Sequence, residues 1–127
     1  MNELRIAAEA ARARAYAPYS GFHVGAALET EEGTIVTGCN IENASYGLTI
    51  CAERSAVAAA VSAGHRRFVR LALVSDTNEP ISPCGACRQV LFEFSPDLQV
   101  DSYAGTKCQS WTARELLPAG FSGDVLL

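Results

Sequence analysis

A chain of 127 residues carrying a net charge of −4 is long enough to bury a core without disulfide staples, and fits one domain over residues 1–127. Its only lysine is Lys107, and the one basic cluster, Arg66, Arg67 and Arg70, reads as a solvated rim; nothing supplies the basic stripe that a nucleic-acid backbone demands. Hydrophobic content of 49% against 19% charged residues describes a globular protein slightly on the apolar side, with no run of membrane-spanning length.

Residues 2–15 read as an amphipathic helix, with Leu4, Ala7, Ala8, Ala11 and Ala15 on one face, stopping ahead of Pro18. Phe22, Val24, Ala26 and Leu28 then alternate as in a strand. Glu31-Glu32-Gly33 makes a turn, and Thr34–Cys39 returns as the second arm of a hairpin. Residues 51–63 form an alanine-rich helix, apolar nearly all round and stopped by Gly64, which implies cover on both sides and hence a subunit interface. Leu71–Val74 is a continuous apolar strand of the buried kind. Pro83 is expected to open a third helix, whose Cys87, Val90, Leu91 and Phe94 follow helical spacing. Strands at Leu98–Tyr103 and Cys108–Thr112 and a helical turn at Glu115–Leu117 complete the chain. Strands alternating with helices imply an α/β fold, a three-layer α/β/α domain around a central mixed five-stranded sheet.

The chemistry concentrates in Cys51-Ala52-Glu53 and Pro83-Cys84-Gly85-Ala86-Cys87. Three thiolates make an incomplete shell for zinc, and the open fourth position is where a catalytic zinc holds water. Glu53 is placed to manage that water's protons. Cys84 and Cys87, three apart, share one side of a helical turn, and Cys51 starts its own helix. Both helix starts favour thiolate over thiol. Three thiolates overcompensate a zinc ion by one charge, so Arg54 is the candidate cation to offset them by bonding sulfur. Two alternatives stand beside a catalytic zinc: a structural zinc knuckle, which wants a further ligand pair, and a redox dithiol. Cys39, Cys108, His23 and His65 have no spacing that links them to the clusters. Five cysteines behind no secretory segment are expected to be reduced thiols or metal ligands in a cytoplasmic protein.

Zinc nucleobase deaminases carry a His- or Cys-x-Glu followed by Pro-Cys-x-x-Cys, with the Glu an acid/base and not a ligand. With C-A-E at 51–53 and P-C-G-A-C at 83–87, the chain resembles cytidine deaminase in its short homotetrameric form, whose three zinc ligands are all cysteine. Residues 17–22 (A-P-Y-S-G-F), 38–43 (G-C-N-I-E-N) and 115–118 (E-L-L-P) match family segments in the same order. The resemblance implies one zinc per subunit on Cys51, Cys84 and Cys87, and hydrolysis of cytidine, with deoxycytidine, to uridine and ammonia in pyrimidine salvage. Glu53 would carry a proton from water to the pyrimidine N3 and then to the leaving amino group, with the backbone around Ala52 and Cys84 holding the base. Asn40 and Glu42 match the pair that bonds the ribose hydroxyls; by spacing alone Asn40 and Asn43 read as turn residues after a strand, and the resemblance favours the ribose. Phe22 matches an aromatic against the pyrimidine, Tyr46 a residue lining the site and the subunit interface, and Phe121 a phenylalanine reaching a neighbouring subunit's site. The implied partner is a free nucleoside, with no nucleic acid and no membrane. Deamination of a blasticidin-type nucleoside, polynucleotide editing, or a non-catalytic zinc module are the competing functions. The first lacks the Asn-x-Glu pair, and the second usually carries His-x-Glu.

Overall fold

A computed structural model describes residues 2–127. The elements run α1 (Glu3–Arg12), β1 (Val24–Thr30), β2 (Ile35–Cys39), α2 (Ala52–Ser62), β3 (Phe68–Ser75), α3 (Gly85–Phe94), β4 (Gln99–Ala104), β5 (Lys107–Thr112) and α4 (Ala113–Leu116), with single 3-10 turns at Tyr46–Leu48 and Gly123–Val125. The five strands form one sheet in the order β2-β1-β3-β4-β5, in which only β3 and β4 run parallel. The expected mixed sheet is therefore present. No helix is long and apolar enough to cross a membrane among the described residues.

Two apolar layers hold the helices on. On one face Leu4 and Ala8 of α1 pack against Ala27, Ala72 and Val74. On the other, Ala52, Ala56, Val57 and Ala60 of α2, Leu91 of α3 and Leu116 of α4 close over Val24, Ala26, Leu28, Leu71, Leu73 and Val100. β1 lies between both layers, which is why its residues are buried almost without alternation. Period-two patterning fails where both faces of a strand are covered.

Helix ends differ from the sequence reading in instructive ways. Helix α1 stops at Arg12, so Ala15 falls beyond it. The first strand begins at Val24 and leaves Phe22 in the preceding loop. Pro83 does not open α3: Cys84 is the N-cap, with extended φ −66° and ψ 167°, and Pro83 lies one residue outside. A proline's fixed φ suits that flanking position as well as the first turn. Gly64, at φ +100°, follows the Ala63 C-cap of α2, and the His65 N–H returns to the Ala60 carbonyl. This left-handed glycine closes the helix as predicted. The face of α2 carrying Ala58 and Ala59 is exposed, so the cover expected on both sides is supplied on one only.

Two glycines set how closely helices approach the sheet. A Cβ on Gly25 would meet the Ala8 carbonyl oxygen of α1 at 2.0 Å, and one on Gly38 would meet the Ala56 nitrogen of α2 at 2.3 Å and the Ala52 oxygen at 2.6 Å. Both obstacles are helix backbone, which cannot swing aside. Gly38 thereby seats the first turn of α2, the turn that follows Cys51. Replacing Gly38 by Ala is expected to cost about 1–3 kcal/mol by overpacking. Thermal melting with zinc analysis checks it: the variant melts lower and retains less zinc, and an unchanged melt would show that α2 does not depend on this approach.

Candidate metal and active site

Cys51 and Cys84 are the N-caps of α2 and α3, both with extended backbone, and neither side chain caps its helix's backbone N–H groups. Their sulfurs are free to face each other and lie 3.8 Å apart. Cys87, in the first turn of α3 and fully buried, brings the third sulfur, and all three lie within 4.8 Å of one another. In a tetrahedral site with Zn–S near 2.3 Å the sulfurs stand ~3.8 Å apart. The Cys51–Cys84 separation already has that value. All five cysteines are free thiols, and Cys39 and Cys108 lie outside the cluster.

Cys51 and Cys87 are not alike in charge. Cys51 is pulled down to about 5 by the hydrogen bond from Cys87, helped by Arg54 and by Cys84. Cys87 is pushed strongly upward, because it donates to Cys51 and is buried beside Glu53 and the Cys51 charge. The helix starts therefore do not ionise each ligand independently, as the sequence suggested: ionising one thiol holds its neighbour's proton. Only a cation among the sulfurs lets all three ionise together, and a dication meets that need, so the donor set fits zinc. Arg54 places Nη2 3.5 Å from the Cys51 sulfur, and its own pKa is raised by that bond. Its Nε is buried without a protein partner.

Glu53 occupies the first turn of α2 and is 4% exposed. Burial lifts its carboxyl to about 7, against its own backbone N–H, with the Cys51 charge adding to the rise. A carboxyl poised there exchanges protons readily at neutral pH. Ala52 beside it is buried.

A short ladder outside the main sheet brings the remaining residues to this site. Ile41 bridges Ile50 antiparallel and Tyr16 in parallel. These bridges tie the segment that carries Asn40 and Glu42 to the one that ends at Cys51. Asn40 is buried, with its side-chain oxygen accepting the Val24 N–H at 2.9 Å and its amide donating to the Phe22 carbonyl at 2.7 Å. One N–H and one lone pair of its amide remain. Glu42 accepts from the Tyr19 and Ser20 N–H groups and the Ser20 hydroxyl, bonds that hold its carboxyl below the usual range. A cleft of about 290 Å³ lies among Tyr19, Ser20, Glu42, Tyr46 and Thr49. Tyr46 is 74% exposed and its ring tilts against Tyr19 at 5.9 Å. Phe22 is partly exposed beside Asn40.

Phe121 is not brought to this group. Gln89 on α3 holds its carbonyl, and its ring is 63% exposed. A second cleft of about 600 Å³ lies at the opposite end of α3, around Phe94, Ser95 and Leu127, away from the cysteines.

Arg88 went unnoticed in the sequence. Its guanidinium bonds the Pro83 carbonyl at 2.7 Å, the Leu116 carbonyl at 2.9 Å and the Ser82 hydroxyl at 3.1 Å, bracing the approach to Cys84 from α4. Its position one turn after Cys84 was the only available signal. Arg54→Ala is expected to weaken zinc retention about tenfold, in the range typical of groups that support metal ligands. Competition with a chromophoric chelator reads this, and unchanged affinity would remove Arg54 from the charge balance.

The sequence profile of the family described as the cytidine and deoxycytidylate deaminase zinc-binding region matches residues 2–100. A cytidine deaminase of Sporosarcina psychrophila is 50% identical, over 99% of this chain and 96% of that protein. One from Mycobacterium tuberculosis H37Rv is 53% identical, over 98% and 92%. The crystal structure of cytidine deaminase from Burkholderia pseudomallei superposes with a TM-score of 0.91 at 50% identity, over 95% of this chain and all of that one.

Proposed function

The chain belongs to the cytidine and deoxycytidylate deaminase family, and on that footing we propose how its residues divide the work of deaminating a nucleoside. The reaction is the hydrolysis of cytidine to uridine and ammonia, with zinc as cofactor. The observation that carries the division of roles is a single one: three cysteine sulfurs within 4.8 Å of one another, beside a buried carboxyl.

Cys51, Cys84 and Cys87 hold the metal, one ion per subunit. When bound, zinc supplies Lewis acidity that makes water ionisable near neutral pH. Glu53 takes the proton from the attacking water. It delivers that proton to N3 of the pyrimidine, which makes C4 more electrophilic, and a later proton to the amino group, which leaves as ammonia. A carboxyl lifted to about 7 by burial can both accept and return a proton under these conditions. Arg54 offsets the excess negative charge of the sulfurs. The backbone around Ala52 and Cys84 carries the base.

Asn40 and Glu42 take the ribose hydroxyls. Asn40 has amide valences to spare, and Glu42 stands over the 290 Å³ cleft with its carboxylate oriented by the Tyr19–Ser20 turn. Phe22 packs on the pyrimidine, and Tyr46 lines the cleft. Deoxycytidine is a second substrate, and the reaction serves pyrimidine salvage in the cytoplasm.

The chain is one catalytic domain over residues 1–127 that works as a homotetramer. Tyr16, Tyr19, Ile41, Tyr46, Leu48 and Ile50 are all exposed on the segments around the cleft, more apolar surface than a monomer usually leaves in water. The open alanine face of α2 adds to it. Phe121, 63% exposed in its own chain, enters the neighbouring subunit's site.

Glu53→Gln is expected to keep stoichiometric zinc and the fold while lowering cytidine turnover by about 10²–10⁴-fold. Ammonia release with metal analysis measures both, and retention of most of the activity would exclude Glu53 as the proton carrier. Light scattering on the purified protein should return four times the 13.5 kDa chain mass; a monomer with full activity would refute the shared sites.

A further inference from the structure

The ladder between β1 and β3 ends at Val24 opposite Ser75. One residue further, where backbone pairing stops, a side chain continues it. The Asp76 carboxylate accepts the His23 backbone N–H at 2.9 Å and faces His23 Nδ1 at 2.8 Å. Arg12 closes the arrangement from α1: its Nη1 donates to the Ser75 carbonyl at 2.7 Å and stands 3.7 Å from the other Asp76 oxygen. Arg12 of α1, the end of β3 and His23 of the loop thus meet at Asp76.

What His23 separates gives this convergence its meaning. The residue before it supplies the carbonyl, and the residue after it the N–H, that together grip the Asn40 side chain. The Asn40 amide can be aimed only as accurately as Phe22 and Val24 are fixed relative to each other. Between them lies a loop residue outside the sheet, held by no strand partner of its own. Asp76 supplies that missing partner. It is also the first residue past β3 in the connection that leads on to α3.

We propose that Asp76, through His23, is a positioning residue for the sugar of the substrate: it fixes the Phe22–Val24 backbone that orients Asn40. The inference rests on the assignment of Asn40 to the ribose made above. A strut that only stabilised the fold would weaken every substrate alike. A strut that aims Asn40 affects only substrates offering Asn40 a hydroxyl.

The test compares cytidine with 2′,3′-dideoxycytidine, which presents no ring hydroxyl, in the zinc-loaded protein and in three variants. Asp76→Ala should raise KM for cytidine about tenfold, the scale of one misaligned hydrogen bond, and leave kcat within about twofold. KM for the dideoxynucleoside should move by less than about twofold, because the two changes remove one and the same interaction. Asp76→Asn keeps an oxygen for the His23 N–H and should recover most of the cytidine affinity. Should Asp76→Ala fail to fold, His23→Ala decides, since it keeps the N–H bond and loses the Nδ1 contact: a smaller rise in KM confined to cytidine supports the proposal, and none overturns it. Equal rises on both nucleosides, or a loss confined to kcat, also overturn it. If the unaltered protein releases no ammonia from cytidine, the functional reading falls and this inference with it. If it turns over cytidine normally but the variants show no hydroxyl dependence, only this inference falls.

Discussion

Everything at the site depends on two helices starting at the same place. The N-caps of α2 and α3 meet with extended backbones, and their side chains, unlike ordinary caps, leave the helix backbone N–H groups unbonded. That leaves the Cys51 and Cys84 sulfurs 3.8 Å apart, with Cys87 one turn behind. Thiols at such distances cannot all ionise by themselves, so the protein has concentrated a charge conflict that a divalent soft cation resolves. The conflict exists because the helices are pinned. α2 is pressed on β2 at Gly38, where no side chain is tolerated, and the lead into α3 is braced by Arg88.

The same convergence makes Glu53 what it is. A carboxyl one residue into α2 from Cys51's neighbour has nowhere to go but under the first turn, where it loses water and gains a thiolate beside it. Both effects raise its pKa, with burial the larger. One packing decision therefore sets the sulfur cluster and the buried carboxyl together. The isolated bridges from Ile41 to Tyr16 and to Ile50 tie the segment carrying Asn40 and Glu42 to the one that ends at Cys51.

Much of this was legible in the residues themselves. The Cys-x-Glu and Pro-Cys-x-x-Cys spacings announced the metal cluster, and Gly64 marked the end of α2. What the sequence obscured was long-range. That β1 is covered on both faces follows from α1 returning across the sheet, which no local period encodes. Asn40 looked like a turn residue, and the Val24 and Phe22 bonds that bury its amide come from a segment well before it in sequence. Arg88 and Asp76 act on backbone atoms of distant loops, and side-chain to backbone bonds leave no pattern of residue types to read. The pKa split between Cys51 and Cys87 was hidden for a different reason: dipole arguments treat thiols singly, whereas these two titrate together.

The central claim is that three cysteines hold one zinc and leave a fourth position open for chemistry. X-ray absorption at the zinc edge of the purified, metal-loaded protein tests it most directly. The account predicts three sulfur neighbours near ~2.3 Å and one oxygen near ~2.0 Å. Four sulfurs would mean a closed structural site recruiting Cys39 or Cys108, and would contradict it.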